Sequence, residues 1–265
     1  MKIACLQVAP LSCDVQGNLA RLKHSAHQAK EAGCDLLVTP EMYLTGYNIG
    51  ADAVARLAQP RDGDYPQAVA AIAKDAGLAI LYGYPERHGD KIYNSVQLID
   101  QTGTMLNDYR KTHLYGQVDR DQFSAGTTRS AVITLNGWQV ALAICYDIEF
   151  AELSRAYALD GAEIILTPTA NMTPYVSIAN RVVPTRAEEN GIFVVYANYC
   201  GNEGAFAYCG ASCICGPDGH DIARAGDQPS LTIGAIERAD LDRVRTDISY
   251  LNDRRPDIYD RTEKT

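Results

Sequence analysis

The sequence predicts a mixed α/β fold: sheets covered by helices within one domain. Three observations predict it. Short apolar runs recur along the chain, among them DLLVT at 35–39, QVALAI at 139–144, EIILT at 163–167 and IFVVY at 192–196. Each has the length and β-branched content of a buried strand rather than of a helix. Segments with apolar residues at helical spacing alternate with these runs. Hairpin signals such as Asn136-Gly137 interrupt the alternation, so the sheets are mixed rather than purely parallel.

The elements follow in order. KIACLQVA at 2–9 alternates and reads as a strand. Residues 14–32 carry Leu19, Leu22 and Ala26 on one face and end at Gly33, with Asp14 or Asn18 as N-cap. The strand at 35–39 runs into Pro40-Glu41. Two helices are expected at 51–58 and 64–76, then a strand at 78–84 paired with 92–99, and a third run at 105–109 ending in Arg110-Lys111. Residues 113–126 read as a polar loop. Strands at 131–135 and 138–144 flank Asn136-Gly137, and the second ends at Cys145. Beyond it Ile148, Leu153, Ala156 and Leu159 fall on one helical face. Then come a strand at 163–167, a helix at 175–189, a strand at 192–196, further strands at 205–215, 220–224 and 231–236, and a short helix at 240–245. The tail, about 249–265, is charged and irregular. It carries Tyr250, Leu251, Ile258 and Tyr259, apolar surface that a neighbouring subunit would cover.

Composition narrows the function classes. The chain has 265 residues, 46% hydrophobic and 22% charged, enough for one large or two small domains with a sizeable core. With no linker or internal repeat in view, residues 1–265 read as a single domain. The net charge of −9 and a pI near 5.0 argue against nucleic acid or an anionic membrane as partner. The N-terminal apolar stretch is too short for a signal peptide, and no run approaches a membrane span, so a cytoplasmic location is expected. Eight cysteines in such a chain read as free thiols. The Cys209-x3-Cys213-x-Cys215 cluster lacks a C-x2-C pair and a neighbouring His, so it reads as strand residues and no metal site is expected.

Three buried-looking strands end in a reactive side chain: Glu41, Lys111 and Cys145. Ligand sites of α/β sheets lie at such strand ends. There a carboxylate can take the thiol proton, while an ammonium favours thiolate and then oxyanion. Cys145 stands where a strand gives way to a helix, whose first N–H groups lack partners and can lower a thiol pKa or hold an oxyanion. Thr169, Asn171 and Asn198, at two further strand ends, add polar groups to the same rim. Taken singly, Glu41 could cap a loop, Lys111 could be solvated and Cys145 could be core filler. Periodicity alone does not bring three distant residues together.

Glu41 in LLVTPEMYLTGY, Lys111 in YRKTHLYG and Cys145 in ICYDIEFAE resemble the three ordered motifs of the nitrilase superfamily, the carbon–nitrogen hydrolases. GAEIILTPTAN, RAEENGIFVVYAN and RRPDIY extend the resemblance over nearly the whole chain. It implies a four-layer αββα sandwich, usually a homodimer paired through helices around the elbow, and a Glu–Lys–Cys triad with no cofactor. By position Glu41 becomes the general base and Cys145 the nucleophile. Lys111 and the Tyr146 backbone N–H become the oxyanion hole. Where many members carry a further Glu, four residues before an aromatic, this chain has Asp119 before Phe123. Asp119 is therefore a candidate fourth catalytic residue, one methylene shorter. Ala151 stands where the family often has Pro. CYDIEF is similar to the amidase branch, whose members hydrolyse a small carboxamide through a Cys thioester. Tyr43, Tyr115, Phe123, Asn171 and Met172 are candidate substrate-binding residues.

Other readings stay open at this point. N-carbamoyl hydrolases and nitrilases share the motifs. A Cys145–His113 hydrolase would use the His two residues beyond Lys111. A non-catalytic binding protein would use the same scaffold. Arg181 and Arg186, on the expected helix at 175–189, read as ion-pair partners of Glu188 or Glu189 or as interface residues rather than as substrate ligands.

Overall fold

The computed structural model describes residues 1–247 and 249–259. β1 (Lys2–Gln7) leads into α1 (Val15–Glu31), capped by Asp14, whose carboxylate accepts the Gly17 N–H at 2.9 Å. There follow β2 (Leu36–Val38), α2 (Ala51–Leu57), α3 (Asp64–Ala76), β3 (Ala79–His88), β4 (Lys91–Ile99) and β5 (Met105–Arg110). After α4 (Gly116–Gln122), β6 (Ile133–Leu135) and β7 (Trp138–Leu142) pair across Asn136-Gly137. Both turn residues have positive φ, 50° and 81°, as a type I′ turn requires. A 3₁₀ turn (Cys145–Glu149) precedes α5 (Ala151–Leu159) and β8 (Ile164–Pro168). A π-helical turn (Ile178–Val182) runs into α6 (Val183–Glu188), followed by β9 (Phe193–Ala197). β10 (Cys200–Glu203) and β11 (Phe206–Cys209) form a small separate ribbon. β12 (Cys213–Cys215), β13 (Asp221–Arg224), β14 (Ser230–Ala235), α7 (Arg238–Asp247) and α8 (Pro256–Tyr259) complete the order.

Two six-stranded sheets form, in the orders β14-β1-β2-β3-β4-β5 and β13-β12-β9-β8-β7-β6. Each has three parallel strands at its centre, β1-β2-β3 and β7-β8-β9, with antiparallel strands outside them. The side-chain alternation of each strand explains the stacking. On β2, Leu36 and Val38 enter the core between the sheets, where they join Leu81, Val140, Leu142, Leu166 and Val195. Leu37 points the other way, into the layer formed by Leu22 and Ala26 of α1 and Val69 and Ile72 of α3. On the far side, Ile165 and Val194 pack on Leu153 and Tyr157 of α5 and Val183 and Ala187 of α6. The result is a four-layer αββα sandwich. Its central strands are buried on both faces, which is why they read as unbroken apolar runs.

Several boundaries differ from expectation. The expected loop at 113–126 contains α4, which has too few apolar residues for a periodic signal and is anchored by the buried Asp119. The expected helix at 175–189 begins only at Ile178 and changes pitch ahead of Pro184, which has no N–H to donate. The expected strand at 205–215 is two strands in different sheets, β11 and β12, separated where Ala211 takes φ 57°. In the tail, Leu251 packs against the α5–α6 core, while Tyr250, Ile258 and Tyr259 are exposed in the single chain. Residues 260–265 of that expected segment lie outside the described residues.

Candidate active site

The ends of β2, β5 and β7 bring Glu41, Lys111 and Cys145 to one place. Lys111 Nζ lies 2.7 Å from Glu41 Oε1 and 2.7 Å from Asp119 Oδ2, with all three side chains 0% exposed. One ammonium thus serves two buried carboxylates. Asn94 Nδ2, from β4, donates to the same Glu41 oxygen at 2.6 Å. Glu41 Oε2 has no hydrogen-bond partner among the described residues. It is a buried acceptor left open in a site that also holds the Cys145 thiol, whose proximity lowers the Glu41 pKa.

Backbone ties hold the three strand ends in register. The Glu41 N–H donates to the Thr169 carbonyl at 3.2 Å, crossing from one sheet to the other. The Leu44 N–H donates to the Gly83 carbonyl at 3.1 Å. At Gly83 a Cβ would stand 2.4 Å from the Met42 nitrogen, so only glycine lets the Glu41 turn approach β3. The buried Asp147 clamps the elbow to the end of β5. It accepts from the Ile144 N–H at 3.0 Å, the His113 N–H at 3.0 Å, Thr112 Oγ1 at 2.9 Å and the Tyr109 hydroxyl at 2.9 Å. Cys145 and Met42 are non-glycine residues with left-handed φ, 48° and 52°. Such strain is held by surrounding structure and clusters at functional sites.

The charges are set mainly by burial. Burial raises the Glu41 pKa; Lys111 lowers it, Asp119 raises it further, and the net direction is upward. Burial opposes the Lys111 charge, but Asp119 and then Glu41 outweigh it and push its pKa well above the usual lysine value. Burial and Glu41 raise the Cys145 pKa well above normal, against Lys111, the Thr169 hydroxyl and the Ala170 N–H. The expected neighbouring donors are present and lower the thiol pKa, but burial and Glu41 act against them and the net direction is upward.

Next to this cluster lies a cavity of about 230 Å³, lined by Cys145 and by the expected Tyr115, Asn171 and Met172. Tyr43 does not line it. Left-handed Met42 turns the chain so that Tyr43 points into the α1 layer, where its hydroxyl donates to the Asn18 carbonyl at 3.2 Å. Phe123 also lies in that core, at the end of α4. Asp119 is sealed behind Lys111, where it accepts the Tyr47 hydroxyl at 2.8 Å and the Tyr115 N–H at 2.8 Å. Tyr146 is the second residue of the 3₁₀ turn, at the end where backbone N–H groups lack intrahelical acceptors. His113 is turned to Asp147, 2.7 Å from Oδ1, and stacked on Phe150 at 3.9 Å, and it makes no bond to Cys145. Asn198 braces the wall, accepting the Asn171 N–H at 2.8 Å. Arg186 pairs with Glu189 at 3.0 Å and holds the Ile148 and Glu149 carbonyls.

Sequence reasoning missed Asn94, Tyr47, Glu149, Tyr175 and Ile178. Asn94 sits in an alternating strand, where an inward polar residue leaves no mark. Glu149 was visible only as part of the elbow motif. The thiols of Cys213 and Cys215 and the Asp221 carboxylate do converge, within 4.8 Å of one another, but Asp221 is already gripped by two of the Arg224 guanidinium nitrogens, at 2.5 and 2.7 Å.

This sandwich, with a thiol, a carboxylate and an ammonium at its sheet rim, defines a class of hydrolase, and the whole-chain comparisons agree. A family model described as carbon–nitrogen hydrolase matches residues 2–246, and the chain belongs to that family. It is an enzyme that hydrolyses carbon–nitrogen bonds other than peptide bonds, with amidases among its relatives. It is 52% identical over 265 residues to a Pseudomonas protegens protein named "Hydrolase in pqqF 5'region", covering 100% of this chain and 92% of that one. It is 35% identical over 257 residues to an (R)-stereoselective amidase of a Pseudomonas species, covering 96% of this chain and 92% of that one. Among solved structures, a glutamate-to-glutamine variant of an amidase from Nesterenkonia sp. AN1 superposes with a TM-score of 0.84 at 33% identity, covering 97% of each chain, and carries an acrylamide adduct on its active-site cysteine.

Proposed function

We propose that this chain is an amidase that hydrolyses a small carboxamide to the acid and ammonia or an amine through a thioester on Cys145. Glu41 accepts the thiol proton as sulfur attacks the carbonyl carbon. The tetrahedral oxyanion is held by the Lys111 ammonium and the Tyr146 N–H. The carbon–nitrogen bond breaks, and the leaving nitrogen takes the proton from Glu41. A water then gives a proton to Glu41 and attacks the thioester. The carbon–sulfur bond breaks, and the proton returns to the sulfur as the acid leaves. Asp119 acts as a positioning residue: it shares Lys111 with Glu41 and fixes Tyr47 and the start of α4.

The observation that carries this reading is the 2.7 Å contact of Lys111 with Glu41, whose second oxygen is unpartnered in the site that holds the thiol. A raised Glu41 pKa suits a base that must also return its proton. The active-site cysteine of the Nesterenkonia amidase supports the same role for Cys145. Residues 1–265 serve as one catalytic domain. The exposed tail packs on a second copy in a homodimer, and the eight free cysteines suit a cytoplasmic location.

Ammonia release from propionamide, propionitrile and an N-carbamoyl amine, measured side by side, tests the assignment. Turnover of the amide above the other two is expected, with an acyl adduct on Cys145 by peptide mass spectrometry. An adduct on another cysteine, with Cys145 unmodified and dispensable, overturns it.

A further inference from the structure

Glu149 lines the cavity, yet the amide chemistry above gives it no task. It follows Cys145 by four residues, at the far end of the 3₁₀ turn. At a rise of about 2 Å per residue the two backbones stand roughly 8 Å apart, a gap that a short aliphatic chain spans. Its carboxylate forms no ion pair among the described residues. The nearby Arg186 is engaged elsewhere, giving its guanidinium to the Ile148 and Glu149 carbonyls at 3.0 and 2.8 Å and to Glu189 at 3.0 Å. Lys111, the one buried ammonium of the site, is matched by two carboxylates of its own.

The walls around this unpaired acid are aromatic. Tyr47, Tyr115, Tyr146 and Tyr175 line the same cavity. Tyr115 meets Tyr146 at 5.4 Å and Tyr175 at 6.3 Å, both edge-on, so their ring faces look in different directions across the space. Ring faces attract cations, most strongly where water is excluded. Asn171 commits Nδ2 to the Tyr175 carbonyl at 3.0 Å, and its Oδ1 remains an acceptor. The Tyr47 ring already faces the Lys111 ammonium, 5.6 Å from its centroid, so Tyr115, Tyr146 and Tyr175 are the rings open to a ligand. With one carboxylate and a free amide oxygen they suit an ammonium group and repel a carboxylate.

We propose that the preferred substrate is a carboxamide bearing a protonated amine, with the ammonium held by Glu149 and the tyrosine rings while the carbonyl lies against Cys145. The inference names the substrate class for the amidase reading and rests on it. Burial raises the Glu149 pKa against Lys111 and Arg186, and the net direction is upward; a bound ammonium would oppose that rise.

Binding to the full-length Cys145→Ala protein tests the proposal without turnover. Calorimetry compares 3-aminopropanamide (cationic), butanamide (neutral) and succinamate (anionic). The cation is expected to bind at least about tenfold more tightly than butanamide, the effect of one half-buried charge pair backed by aromatic rings. Succinamate is expected to bind more weakly than either. Adding Glu149→Gln is expected to collapse the cation-to-neutral ratio to about one. Equal binding of cation and neutral isostere on Cys145→Ala overturns the proposal, whether or not the second variant folds, and so does a preference that survives Glu149→Gln. Wild-type turnover separates the two readings. Hydrolysis of butanamide without a cationic preference leaves the amidase standing and sinks the role of Glu149. Selective cation binding with no acylation of Cys145 by any amide does the reverse.

Discussion

Glu41 carries the sharpest conflict between stability and chemistry. Two carboxylates, its own and that of Asp119, share the single Lys111 charge, and burial raises the Glu41 pKa. The folded state therefore binds the Glu41 proton more tightly than the unfolded chain does. Its contribution to stability is whole below the ordinary value of 4.5 and is lost as pH rises through the folded value. Glu41→Gln removes that loss and leaves Lys111 paired with Asp119. Its melting temperature is expected to exceed that of the wild type at pH 8 by a few degrees, each kcal/mol being worth about 2–4 °C in a chain of this size. Near pH 4 the difference should vanish, while amide turnover falls by about 10²-fold or more at any pH. Melting curves at the two pH values decide it; a wild type more stable than the variant at pH 8 would reverse the sign. Lys111→Met should act in the opposite direction, leaving two buried carboxylates without a cation at a cost of about 3–5 kcal/mol, read by denaturant unfolding.

Single elements explain why the site closes. β3 supplies no reactive side chain, yet its Gly83 lets the turn after β2 come within reach of Lys111. In Gly83→Ala the new methyl would meet the Met42 nitrogen at 2.4 Å and the Glu41 carbonyl carbon at 3.1 Å, so the Glu41 turn must shift. Displacing the base by about 1 Å is expected to lower kcat/KM by about 10²-fold. Steady-state kinetics beside a thermal melt separate that loss from unfolding: a folded variant with full activity would show that the close approach does not matter. The same reasoning applies to the elbow. Its five-residue 3₁₀ turn replaces the start of the helix that the sequence predicts from Ile148, because Ile148 and Leu153 fit helical spacing equally well. The clamp by Asp147 and the left-handed Cys145 were not visible, since both depend on what β5 brings alongside.

At the scale of the whole molecule, one face of the described residues carries exposed apolar side chains. Tyr250, Ile258 and Tyr259 are 51%, 65% and 53% exposed, and grooves beside them are lined by Arg155 of α5 and by Glu188 and Glu189 at the end of α6. An apolar stripe on this helical layer suits self-association. Light scattering is expected to give at least twice the 28.9 kDa chain mass. Replacing Ile258 and Tyr259 by Ser should shift that mass toward the monomer, and a wild-type monomer at micromolar concentration would remove the homodimer from consideration.

The sequence by itself determined the strands, because a sheet buried on both faces demands short continuous apolar runs, and it determined which reactive side chains stand at their ends. It also carried the three motifs that mark the family. The tertiary structure alone decided which partners those side chains have. Asn94 and Asp119 reach the site from β4 and α4, through contacts 53 residues and 8 residues away in the chain from Glu41 and Lys111 respectively. Tyr43 and Phe123, which stand beside motif residues in sequence, turn away into the core. Periodicity reports which face of an element is buried. It does not report what lies across that face, and a cavity is made of such meetings.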